Sequence, residues 1–132
     1  MDGVARSLDE LTPHEVGVLG EQACARMLER GGCEVVERNW RCPAGEVDLI
    51  VRDAGEVVLV EVKTRLCLGR ERPAPEVAVD ADKLARYRSL AASYLALNPD
   101  VPSIRFDVAG VTLTEGRIAS IRYLRNVWLG DE

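Results

Sequence analysis

Glu46, Asp48, Glu61 and Lys63 lie inside two apolar runs, GEVDLIVRD and EVVLVEVKTR, which read as adjacent strands over roughly 45–52 and 56–65. Ionised groups are costly to bury, so three carboxylates and a lysine in a sheet call for a task. Side chains alternate faces along a strand, which groups Glu46 with Asp48 and Glu61 with Lys63. A two-residue turn at Ala54-Gly55 sets Asp48 opposite Glu61 and Glu46 opposite Lys63. A type I turn with a G1 bulge at Gly55 is equally compatible and offsets the pairing by one. Directly opposed positions bring Cβ atoms to about 4.5–5.5 Å, where like charges destabilise. Glu46 and Lys63 would then be ordinary cross-strand charge pairing. Two opposed carboxylates need a shared proton or a bound cation, and a hard divalent ion such as Mg²⁺ (or Mn²⁺) suits oxygen ligands. The plainer alternative is a charged sheet surface facing solvent.

The elements that must position these groups are legible in periodicity and capping. TPHEVGVLGEQACARMLERGG opens with Thr12 as N-cap, Pro13 at N1 and Glu15 completing a capping box, and Gly31 and Gly32 end the helix. Val16, Leu19, Ala23, Met27 and Leu28 make its apolar stripe. CEVVERNW reads as a short strand ahead of the two charged ones. A long Pro- and Gly-containing loop covers about 66–79. DADKLARYRSLAASYLALNP is a second helix, capped by Asp80 or Asp82 and stopped before Pro99. SIRFDVAGVTL and RIASIRYL alternate as a closing hairpin. This α-β-β-β-α-β-β order predicts an α/β or α+β domain, a mixed sheet flanked by helices. The 132 residues suit one domain with a core over about 12–125, a flexible N-terminal arm and a flexible C-terminal tail.

A hydrophobic share of 47% and a charged share of 30% describe an ordinary globular chain. No run approaches the ~20 apolar residues of a membrane span, and the first residues carry no apolar signal core, so no membrane and a cytoplasmic address are expected. Cys24, Cys33, Cys42 and Cys67 form no C-x-x-C pair and His14 is the sole histidine, a pattern of reduced, partly buried thiols rather than a zinc site. The net charge of −5 is unlike that of a general nucleic-acid coat protein. Local fields matter more: Lys63, Arg65, Arg70 and Arg72 meet Glu71 alone, and Lys83, Arg86 and Arg88 follow. Of 17 basic residues only Lys63 and Lys83 are lysines, a hint that the compact ammonium group is needed at both.

GEVDLIV…VLVEVKTR resembles the PD-(D/E)XK nuclease superfamily, in which an Asp on one strand is followed across a hairpin by (Asp/Glu)-x-Lys. The matching residues are Asp48 and Glu61-Val62-Lys63, with Val47 where a proline is common. More closely, GVLGEQAC, ERNWR, GEVDLI, EVKTR, Lys83 and RFDV, in that order over about 90 residues, are similar to the YraN-like family of small bacterial proteins. The resemblance implies a restriction endonuclease-like α-β-β-β-α-β core. It implies Asp48 and Glu61 as metal ligands, Lys63 as the group that positions or polarises water and offsets phosphate charge, and Glu21 as a further acidic site residue. An exposed helix position is the alternative for Glu21. Lys83 and Tyr87 share a helix face and resemble the Gln-x-x-x-Tyr feature of some members, although Tyr87 in the core fits as well. Arg105 and Asp107 share a strand face and are read as a structural pair. Trp40 stacks on a base or, as is more usual, packs in the core.

The expected activity is Mg²⁺-dependent hydrolysis of phosphodiester bonds in DNA, with Arg65, Arg70, Arg72, Lys83 and Tyr87 as substrate contacts. Nothing resembles a major-groove recognition helix, so cutting is expected to follow substrate structure rather than sequence. Resolvase-like relatives imply a homodimer. The rival expectation is a nucleic-acid or protein-binding module with little or no catalysis on the same fold.

Overall fold

The structure, a computed structural model, describes residues 8–68, 77–115 and 117–128, without the side chains of 117–119. Arg70 and Arg72 lie outside the described residues, as do the ends of the arm and the tail. After a short 3₁₀ turn at Leu8–Glu10, helix α1 spans Pro13–Arg30. The hydroxyl of Thr12 accepts from Glu15 N at 3.1 Å and the Glu15 carboxylate accepts from Thr12 N at 2.9 Å, completing the capping box. Strands β1 (Glu34–Cys42), β2 (Gly45–Asp53) and β3 (Glu56–Leu66) follow, then α2 (Ala81–Leu97), β4 (Ile104–Thr114) and β5 (Arg117–Leu124). Of the two candidate caps for α2, Asp80 is used: its carboxylate accepts from Lys83 N at 2.9 Å.

The strands form one mixed sheet in the order β1-β2-β3-β4-β5. β3 and β4 are parallel and the other neighbours antiparallel, because α2 carries the chain back across the sheet between them. Both faces of the central strands are covered. On one, Tyr87, Leu90 and Tyr94 of α2 pack on Ile50, Leu59 and Phe106; on the other, Val16, Cys24 and Leu28 of α1 pack on Leu49, Val58 and Val111. Burial on both sides explains the near-continuous apolar runs of β2 to β4.

Of the expected apolar stripe of α1, Val16, Ala23 and Leu28 are buried and Met27 packs against the core; only Leu19 departs from it. Leu19 is exposed, while Gly20, Ala25 and Cys24 face the sheet. Trp40 belongs to the core, its ring edge-on to Tyr94 with centroids 5.2 Å apart. All four cysteines are free thiols, and burial raises that of Cys24 to about 12. The segment just past β5 is more anchored than its polar composition suggests. Val127 N donates to Phe106 O at 2.8 Å and Trp128 Nε1 to Ile104 O at 3.0 Å, so residues 126–128 dock on β4. No helix of the described residues is long and apolar enough to cross a membrane.

Candidate active site

The β2–β3 ladder runs from Asp53–Glu56 to Leu49–Val60, the register of a two-residue turn. Ala54 and Gly55 both take positive φ, 54° and 87°, as the hairpin turn that follows strand twist requires. Beyond Leu49–Val60 the ladder stops. Asp48 is not bridged to Glu61 there; its carboxylate fills the opening and accepts Val62 N–H at 2.7 Å. The expected Glu46–Lys63 pairing is likewise not made. Glu46 turns to Asn39 (2.8 Å) and Arg41 (3.6 Å), and Lys63 Nζ lies 3.5 Å from Glu61 Oε2. The strands part just where the two acids would face each other.

Two further acids border the opening. Glu21, from α1, lies close enough to Asp48 for its negative charge to disfavour ionisation there. Burial, then the charges of Glu21 and Glu61, push Asp48 up to about 7 against the opposing pull of the Val62 amide. Glu61, 7% exposed, is held by cations and a phenol: Arg86 Nη2 at 2.9 and 3.2 Å, Tyr87 OH at 3.1 Å and Lys63. Tyr87 is fully buried and stacks on Phe106, with centroids 4.2 Å apart. Burial and the Glu61 charge keep its phenol protonated, as a donor.

Asp48, Glu61, Lys63 and Glu21 are therefore brought to one place, and Tyr87 supports Glu61 from beneath. Lys83 and Arg65 line the adjoining pocket with Lys63 and Tyr87. Two members of the cluster were not anticipated. Arg86 reaches Glu61 from α2, and its signal was its place three residues after Lys83 and next to Tyr87. Asn39 donates to both Glu21 (3.3 Å) and Glu46 (2.8 Å) from a left-handed backbone (φ 53°) in β1. A polar, turn-favouring residue inside a strand pattern was the available clue. Arg105 and Asp107 pair with each other, at 3.0 Å through two nitrogens, apart from the carboxylate cluster.

Oxygen donors of this kind suit a hard divalent cation, and the crowding of negative charge that raises Asp48 is of the kind a cation relieves. The third carboxylate is otherwise engaged: among the described residues no three or more His, Cys, Asp or Glu converge on one ion position. The chemistry of Asp48 and Glu21 fits such an ion, while both oxygens of Glu61 are held by Arg86, Tyr87 and Lys63.

The placing of Glu21 depends on Gly20. A Cβ there would lie 2.7 and 2.8 Å from Thr64 Cγ2 and Cβ, with the buried, unpartnered Thr64 hydroxyl closer still. Thr64 is β-branched and cannot swing aside, so Gly20→Ala should push α1 off β3. Overpacking of about 1–3 kcal/mol outweighs the ~1 kcal/mol helix gain of Gly to Ala. At Gly17 nothing lies within 4 Å, so Gly17→Ala should stabilise instead. Urea unfolding of the two variants side by side checks the opposite signs.

A mixed sheet between two helices, with carboxylates and a lysine gathered where two strands part, defines a small α/β protein with an acidic–lysine centre. The chain belongs to the uncharacterised protein family UPF0102, whose model matches residues 20–111. This is the YraN-like family that the ordered sequence pieces pointed to. The UPF0102 protein of Beutenbergia cavernae is 47% identical over 113 residues, covering 85% of this chain and 94% of its own. That of Nocardia farcinica is 47% identical over 115 residues (86% and 88%), and that of Kineococcus radiotolerans 40% over 114 residues (85% and 92%). The matched segment contains Glu21, Asp48, Glu61, Lys63 and Lys83.

Proposed function

We propose that this protein is a metal-dependent nuclease that hydrolyses phosphodiester bonds in DNA, selecting its substrate by structure rather than by base sequence. The observation that carries this reading is the gathering of Asp48, Glu61 and Lys63 where β2 and β3 part, with the charge of Glu21 also acting on Asp48. Carboxylates crowded in a partly buried site favour a bound cation. Asp48, Glu21 and Glu61 would hold Mg²⁺ or Mn²⁺. Once bound, such an ion supplies Lewis-acid polarisation of a phosphate oxygen and a water that ionises near neutral pH.

The rest is the work of the chain. Lys63, steered by Glu61 at 3.5 Å, presents its ammonium to the non-bridging phosphate oxygens. Tyr87 and Arg86 fix the Glu61 carboxylate so that Lys63 has a stationary partner. The Val62 amide holds Asp48 in the opening. Arg65 and Lys83 are placed to meet the backbone, contacts that orient a strand without reading it.

Flapped, branched, linear duplex and single-stranded DNA incubated with Mg²⁺ or Mn²⁺ tests this. The expected result is divalent-dependent cleavage confined to one structural class. Lys63→Met should slow it by about 10²-fold, the usual cost of one transition-state donor. Absence of cleavage in every substrate, with the protein folded, overturns the reading.

One observation favours a second reading, a binding module. Both Glu61 oxygens are already taken by Arg86, Tyr87 and Lys63. In that case DNA affinity is indifferent to divalent ions and to Asp48→Asn.

A further inference from the structure

Both lysines of the chain reach the same pocket. Lys63 comes from β3 and Lys83 from the first turn of α2, twenty residues later, and they line a pocket of about 260 Å³ with Arg65, Ala78 and Tyr87. Fifteen other basic residues are arginines, so the two exceptions converge on one place. From this juxtaposition we infer that the pocket seats the terminal phosphate of a nucleic-acid strand, a phosphomonoester, between Lys63 and Lys83. The inference deepens the nuclease reading and rests on it for the class of ligand.

Charge favours an anion. Among the described residues no Asp or Glu lines the pocket. The nearby Glu61 carboxylate is shared by two cations, Lys63 at 3.5 Å and Arg86 at 2.9 Å. Lys83 Nζ donates to the neutral Ala78 carbonyl at 3.1 Å, so its own charge is not offset by that contact. Positive charge is in excess at the pocket wall.

Size and ligand charge narrow the choice. The volume lies below the roughly 300–1,000 Å³ of pockets that engulf drug-sized molecules, which suits a phosphate and the sugar bearing it. A phosphomonoester carries about −1.5 to −2 charges near pH 7, against one for an internal diester, so it gains more from two ammonium groups. Ammonium also suits the site: its three donors rotate to meet a tetrahedral anion, where the guanidinium fork is planar and fixed. A strand end held here lies beside Glu61 and the carboxylate pair. Substrates would then be taken from their ends.

Fluorescence anisotropy of the whole chain in EDTA separates this from catalysis. The probes are a short single-stranded DNA with a 5′-phosphate, one with a 3′-phosphate, and one with hydroxyls at both ends. One phosphorylated end is expected to bind about tenfold or more tighter than the hydroxyl-ended strand, the scale of a charge-assisted contact. Lys83→Gln should erase that preference, bringing the phosphorylated and hydroxyl-ended strands to equal affinity, and a urea unfolding midpoint matching wild type certifies its fold. Equal affinity for all three strands, no binding of any, or a preference that survives Lys83→Gln overturns the inference. So does competition by a nucleoside monophosphate or inorganic phosphate without any preference among the strands, which would make the pocket a small-molecule site. A phosphate preference in a protein that cuts nothing upholds the inference and sinks the nuclease reading. Cleavage without the preference does the reverse.

Discussion

Asp107→Ala is expected to lower the unfolding free energy by about 3–5 kcal/mol, the cost of stripping one partner from a buried ion pair. Asp107 has no exposed surface and serves four donors: Arg105 Nε and Nη2 at 3.0 Å each, Tyr123 OH at 2.7 Å and Asn126 N at 2.7 Å. Alanine would leave a phenol and a backbone amide without their acceptor, each loss worth about 1–3 kcal/mol when buried. The Arg105 guanidinium would keep Asp53 at 3.0 Å and Glu56 at 3.4 Å, which holds the total below the sum of its parts. Because domains are stable by only about 5–15 kcal/mol, the variant should be marginal. Asp107→Asn, which retains one oxygen, should lose roughly half as much. Urea midpoints with an unchanged slope would check it. A loss under about 1 kcal/mol would mean that the network is dispensable. Cleavage per folded molecule should not change, since Asp107 belongs to the β4–β5 scaffold rather than to the carboxylate cluster.

Asp48→Asn is expected to do the opposite: abolish cleavage, by about 10³-fold or more, while making the free protein more stable at alkaline pH. On the proposed metal-dependent reading, the first effect would follow from losing an anionic ligand worth several kcal/mol of transition-state stabilisation. The second follows from the proton. Asp48 sits at about 7 when folded against an ordinary 3.8, so the folded state binds the proton more tightly than the unfolded one. Its contribution to stability is complete below about pH 4 and is lost as pH rises through 7; above that, an ionised Asp48 beside Glu21 is a standing cost. Each pKa unit is worth about 1.4 kcal/mol, which sets an upper bound near 4 kcal/mol. Partial solvation reduces this to about 1–2 kcal/mol. The Asn variant should therefore melt higher than wild type at pH 8, and the gap should close by pH 4. Added Mg²⁺ at pH 8 should raise the wild type alone. A gap that widened toward acid pH would contradict the raised Asp48 value.

Much of this arrangement was legible in the sequence because it is governed by short-range rules. Thr12 and Glu15 cap α1 as their spacing requires, and Ala54-Gly55 sets the β2–β3 register that brings Asp48 toward Glu61. What escaped depends on contacts distant along the chain. Alternation places Glu61 on a face but does not say that Arg86, 25 residues on, will occupy both its oxygens. It also assumes that a ladder continues, and so paired Glu46 with Lys63; the strands separate because the Asp48 carboxylate takes the Val62 amide that a strand partner would have used. Leu19 was assigned to the core because helical spacing identifies a stripe, not which edge of it meets the sheet. That edge was set by Gly20, where α1 comes closest to Thr64. Asn39 was passed over because a left-handed residue in mid-strand contradicts the local pattern.

The 2.7 Å bond from Val62 N–H to Asp48 gives the site its own reporter. A backbone amide that donates to a carboxylate is polarised by that group's charge, and the polarisation changes when a proton or a cation takes over the negative charge. The Val62 resonance in a ¹⁵N-correlated spectrum should therefore follow the occupancy of the centre, moving with pH through the range in which Asp48 titrates and again on addition of Mg²⁺. The same hydrogen bond ties the charge of the carboxylate to the local geometry of β3. If the proposed ion binds, filling the site would be felt along the strand that carries Glu61, Lys63 and Arg65.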